Sequence, residues 1–166
     1  MYFYLVLLGI LLGMLAVLFN SQLMRVMTWF RPVSMVWRLI LAALITGTIG
    51  MFIPEALGAN FIDVEHLFDS SPGALLLVST LVFKVILAVF AIGLGIPGGI
   101  IGPVMVIGML AGAVLLLPLS YFIDVPEFTN SFALLGIAGM LTAVLHAPLA
   151  ALSAVMELSY SPQIIL

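Results

Sequence analysis

The sequence contains no cysteine, and among its 166 residues only 4 are lysine or arginine and 7 are aspartate or glutamate. Without thiols there is no disulfide framework, no thiolate metal site and no cysteine nucleophile. An ordinary soluble domain carries about 25% charged residues. This chain carries 7%, too few to coat a water-facing surface. The shortage of basic residues also excludes a nucleic-acid-binding face, and a composition 65% hydrophobic excludes disorder. No segment pairs two carboxylates for acid–base work, and neither a Walker loop nor G-x-S-x-G is present. The expectation is therefore not an enzyme, with no cofactor and no metal. Fifteen glycines and nine prolines are many for so apolar a chain and point to broken or closely packed membrane helices. The fold class is all-α integral membrane.

Residues 2–19 form the first apolar run, long enough to span. A signal peptide is disfavoured because no charge precedes the run and the run outlasts a usual h-region. Gly9 and Gly13 form a small-xxx-small pair that would admit another helix, or are ordinary membrane glycines. Residues 20–38 hold Arg25, Arg31 and Arg38, three of the four basic residues, and read as a basic loop. Residues 39–54 form a second apolar segment whose helix starts near Trp37, and Glu55, Asp63, Glu65, His66 and Asp69 follow it. The positive-inside rule puts 20–38 in the cytoplasm and 55–69 outside.

Between Lys84 and Asp124 lie 39 uncharged residues, 85–123. One helix of that length would run about 58 Å, roughly twice the hydrocarbon thickness. The chain must break, and Gly93-Leu94-Gly95-Ile96-Pro97-Gly98-Gly99 is where. Residues 73–92 then descend and 103–122 return, with Asp124 and Glu127 in an outer loop. Residues 132–145 and 149–156 are short and interrupted at His146-Ala147-Pro148 and Ser161-Pro162, with a further helix beginning at 163. Short apolar segments broken by proline mark discontinuous helices that meet at a site inside the membrane.

The chemistry concentrates in Gly98-Gly99-Ile100-Ile101-Gly102-Pro103. Proline favours the first helical position, so Pro103 marks a helix start, and Gly95, Pro97 and Gly98 shape the turn before it. The amides of Gly99, Ile100, Ile101 and Gly102 then lack intrahelical acceptors, and an anion at the positive end of the helix is a natural partner. The plainer reading is a hairpin turn whose donors meet water or a neighbouring carbonyl. The literal G-x-G-x-x-G of Gly93 to Gly98 is accidental, since no strand precedes it and the next acid is Asp124. Lys84 lies mid-segment, either as a cation near an anion path or paired with Glu157, or with its stem reaching helix-end carbonyls. Glu157 reads as a helix-end group more readily than as a proton relay. His66 and His146 are isolated and read as polar anchors.

At these residues the sequence resembles the CLC family of chloride channels and proton-coupled chloride antiporters. Gly98-Gly99-Ile100-Ile101-Gly102-Pro103 is similar to the family's G-G-x-F-x-P signature, whose main-chain amides help bind chloride. Lys84-Val85-Ile86 resembles the helix with a basic residue ahead of it. Gly136 to Met140, His146-Ala147-Pro148-Leu149 and Met156-Glu157-Leu158 resemble the family's G-x-A-A/G-x, H-A-P-L and E-x elements in order and spacing, and Leu8 to Asn20 resembles the helix opening its second half. The resemblance implies a CLC-type bundle with broken and re-entrant helices, one of two inverted repeats, with 1–166 as a single partial membrane domain. The first half, with its G-S-G-I-P and G-K/R-E-G-P loops, and the final helix are then absent; Leu94 stands where the former has serine. Ile101 replaces a usual phenylalanine and Gly102 a common alanine, changes that leave every amide in place. The implied partners are chloride, the lipid bilayer, the first half of the domain and a second copy through 147–166. The implied place is a multi-pass position in the plasma (inner) membrane. Channel and antiporter are not separated by these residues, and a non-conducting fragment acting in assembly is the alternative function.

Overall fold

The structure is a computed structural model and describes residues 2–57, 74–120 and 126–159. Among the described residues six α-helices follow one another: α1 Tyr2–Phe30, α2 Met35–Phe52, α3 Ala74–Gly93, α4 Ile101–Ser120, α5 Pro126–Leu145 and α6 Pro148–Ser159. A 3-10 turn, Pro54–Ala56, follows α2. Among the described residues three helices are long and apolar enough to cross a membrane, over Phe3–Phe30, Met35–Phe52 and Leu75–Gly93. The apolar stretches Ile101–Leu117, Ser131–Leu145 and Pro148–Glu157 are shorter.

Helix ends follow proline and glycine chemistry. α1 meets no breaker until Arg31-Pro32, and a residue before proline avoids the helical region. Residues 20–30 are therefore helix, which corrects the expected basic loop 20–38: only 31–34 lie between α1 and α2, and Arg38 belongs to α2. At 29 residues α1 is about 43 Å long, more than the hydrocarbon thickness, so its arginine-bearing end extends past the apolar layer or the helix tilts. α2 begins at Met35, close to the start expected near Trp37, behind an extended Ser34.

The expected break in 85–123 is present and is a helix cap. Gly95 has φ 81, the Ile96 amide donates to Ala91 O (3.1 Å), and the Gly95 amide donates to Ile92 O (3.0 Å). These two bonds and a left-handed residue make a Schellman cap, and Pro97 follows where the helix cannot continue. α5 ends by the simpler variant. His146 has φ 55, its amide donates to Thr142 O (2.9 Å), and Pro148 opens α6.

Two boundaries differ from expectation. α4 starts at Ile101, so Pro103 is third in the helix rather than first. The site still suits it, because no amide of the first turn has an intrahelical acceptor. α5 starts at Pro126 instead of 132, with proline at its first position and Glu127 second, so Glu127 is helical rather than in a loop. The apolar part of α5 is short, whereas the helix is a full 20 residues. Asp63, Glu65, His66, Asp69, Asp124 and the helix expected from 163 lie outside the described residues.

The chain packs as two compact units, residues 1–16 with 104–166, and residues 17–103. In the first, α4 is buried nearly all round, with Val104, Ile107, Leu110 and Ala111 at 0–1% exposure, as expected of an apolar helix at a core. Glycines let α5 cross it backbone to backbone. A Cβ on Gly108 would overlap Gly136 O, and one on Gly112 would overlap Phe132 O. Gly108-x-x-x-Gly112 is thus the close-contact pair, whereas Gly9 and Gly13 have nothing within 4 Å of a Cβ among the described residues. In the second unit Gly93 fits under Val26, whose Cγ1 would stand 2.6 Å from a Cβ there.

Two stability outcomes follow from these geometries. Gly136→Ala is expected to lower stability by about 3 kcal/mol or more, since the obstructing atom is a backbone carbonyl. His146→Gly is expected to raise it by about 1 kcal/mol by relieving the left-handed strain, while His146→Val lowers it. Thermal unfolding in detergent measures both.

Candidate functional site

Residues 98–103 belong to the unit spanning residues 17–103 and carry the segment on which chemistry was expected. Gly98, Gly99, Ile101 and Gly102 are exposed, and Ile100 and Pro103 half-buried. A Cβ on Gly98, Gly99 or Gly102 would meet nothing within 4 Å, so this stretch lies open on the chain. The upstream amides are spent in the cap: those of Leu94, Gly95 and Ile96 donate to Phe90, Ile92 and Ala91 carbonyls. No carbonyl among the described residues accepts from Gly98, Gly99 or Ile100. Ile101 and Gly102 occupy the first two helical positions, where amides have no intrahelical acceptor. Five consecutive donors therefore cluster at the positive end of α4, with Pro103 contributing none.

The turn is placed by α2. Arg38 Nη1 stands 3.8 Å from the Cβ position of Gly95, and Arg38 Nε donates to Val33 O (2.9 Å). The end of α3 therefore lies level with the basic end of α2. This neighbour was not legible from sequence spacing, because 57 residues separate the two positions along the chain.

Lys84 is 8% exposed, and its Nζ donates to Ala56 O (2.9 Å), the last carbonyl of the 3-10 turn after α2. The long stem thus reaches a helix-end carbonyl, one of the arrangements weighed for Lys84. Thr80, one turn earlier, is 1% exposed and returns its hydroxyl to Leu76 O (2.8 Å). Glu157 lies exposed on α6, and His146 is exposed at the end of α5. Among the described residues no group of three or more His, Cys, Asp or Glu side chains is placed to hold a metal.

The model of the family described as voltage gated chloride channel matches residues 1–166. The chain belongs to the voltage-gated chloride channel (CLC) family. Among curated relatives it is 28% identical over 130 residues to the voltage-gated ClC-type chloride channel ClcB of Escherichia coli strain SMS-3-5. It is equally similar to the ClcB of Escherichia coli strain 55989. Each alignment covers 78% of this chain and 31% of the relative, so the chain spans about a third of those proteins' length. No solved structure matches. With family membership and three span-length apolar helices, this is an integral membrane protein of CLC type.

Lys84→Met is expected to cost roughly 1–3 kcal/mol, since it leaves the Ala56 carbonyl without its charged donor. A lowered unfolding midpoint in detergent, with unchanged helix content by circular dichroism, is the result that checks this.

Proposed function

We propose that this chain supplies one wall of a chloride path in a CLC-type channel or proton-chloride antiporter, with chloride held by the backbone amides of Gly99, Ile100, Ile101 and Gly102. The observation that supports the reading is the run of amides from Gly98 to Gly102 without a carbonyl acceptor among the described residues, at the start of α4. In hydrocarbon each such donor costs several kcal/mol if left unmatched, and an anion matches several at once. Ile100 and Ile101 act through their amides. Their side chains line the path without charge, so selectivity among anions rests on the geometry of the donors. Lys84 and Glu157 would act as distant electrostatic support.

One helix end is only part of a coordination shell, because a dehydrated anion needs partners on every side. The reading therefore includes a first half of the membrane domain that completes the path, and it expects no chloride flux through this chain by itself. Two antiparallel copies do not replace that half, since Arg25, Arg31 and Arg38 fix one orientation. It also includes a homodimer through 147–166 in the plasma (inner) membrane. Over the described part of that stretch Leu149, Leu152 and Met156 recur at helical spacing and are 81%, 55% and 59% exposed. Non-conducting assembly is the other reading, and it needs the same apolar face but no amide cluster.

Proline substitution addresses the amides directly. Ile101 is the first helical residue, where proline is well tolerated, yet Ile101→Pro removes one N–H from the cluster. With a CLC first half co-expressed and the pair reconstituted into liposomes, Ile101→Pro is expected to weaken chloride affinity about 10- to 150-fold, the worth of one hydrogen bond to a charged group. Gly99→Leu, which has room for its side chain on this chain, is expected to abolish flux by filling the path. Unchanged affinity in Ile101→Pro would refute the amide site.

A further inference from the structure

Arg38 holds a position its own helix does not favour. It lies in the first turn of α2, at the positive end of that helix, where a cation is repelled rather than attracted. Its Nε is held by Val33 O at 2.9 Å, which fixes the stem and turns the guanidinium toward Gly95, 3.8 Å from where a Cβ would stand. Among the described residues its two terminal nitrogens make no hydrogen bond or ion pair. Gly98 follows Gly95 by three residues and so lies at most about 11 Å from it. A guanidinium that is always charged therefore stands beside the turn leading into the open amides of Gly98 to Gly102, within the same packing unit. Being half-buried, it keeps part of its hydration.

We propose that Arg38 is the anion-capture residue of this path: its guanidinium concentrates chloride at the cytoplasmic mouth and hands it to the amide cluster. The proposal rests on the anion-site reading and adds to it the group that governs capture. A partly hydrated guanidinium raises the local anion concentration without trapping the ion, and low-dielectric walls focus its field along the mouth. Its effect belongs to the flux at low chloride and disappears at saturation. The competing role is mechanical, a clamp between the 31–34 turn and the end of α3, and such a clamp is indifferent to the sign of a charge placed there.

The absence of native cysteine makes that distinction measurable. Arg38→Cys is reconstituted with a cysteine-free CLC first half in liposomes of neutral lipid. Chloride flux is followed from low to saturating chloride. At low chloride and low ionic strength the flux is expected to fall about threefold, with the loss shrinking as an impermeant salt is added. Modification with an ammonium-bearing thiol reagent restores the flux, a sulfonate-bearing reagent lowers it further, and all forms converge at saturating chloride. Equal effects of the two reagents, or an equal loss at saturating chloride, would overturn the proposal. If Arg38→Cys does not assemble, Arg38→Lys is expected to keep the unsubstituted salt dependence, and its loss would overturn the proposal equally. The underlying reading fails separately, through an Ile101→Pro protein whose chloride affinity is unchanged whatever Arg38 does.

Discussion

A hydrocarbon solvent accepts no hydrogen bonds, and the rest of this structure depends on that constraint. Every backbone donor and acceptor at membrane depth must find its partner inside the protein. The result is a chain of helices whose hydroxyls turn back on their own carbonyls: Thr48 to Leu44, Ser79 and Thr80 to Leu76, Ser153 to Ala150. Helix ends obey the same demand. The Schellman cap at Gly95 and the left-handed His146 both return amides to the last turn of the helix they close. Lys84 spends a buried charge on the end carbonyl of the 3-10 turn.

Against that background the segment from Gly98 to Gly102 is the departure. Its amides follow a completed cap and open a new helix, so neither α3 nor α4 uses them. The glycines at 98, 99 and 102 keep side chains off the surface those donors present.

Packing serves the same end by other means. Lipid tails are as apolar as leucine, so helices in a membrane gain little from burying apolar surface and rely on close contact. Gly108, Gly112 and Gly136 supply that contact by bringing the backbones of α4 and α5 together. The start of α4 is continuous with a helix whose body is buried in its own unit.

The amino-acid order by itself determined much of this protein. It carries the membrane class, the break after Gly93, the second break at Pro148, the run of amides from Gly99 to Gly102, and the motifs that resemble the CLC family. Each of these is local: composition, an uncharged run too long for one crossing, and glycine or proline at fixed spacing act within a few residues. Helix boundaries were legible only approximately. α1 runs through Asn20-Ser21-Gln22 because polarity alone does not stop a helix, and α5 begins at Pro126 because a helix extends beyond its apolar stretch. Only tertiary structure decided which small residues meet, choosing Gly108 and Gly136 over Gly9 and Gly13, and which groups stand together across the chain, Lys84 with Ala56 and Arg38 with Gly95. The last two pairings join residues far apart in sequence through the antiparallel run of α2 and α3, and no local periodicity encodes which turn of one helix faces which turn of another.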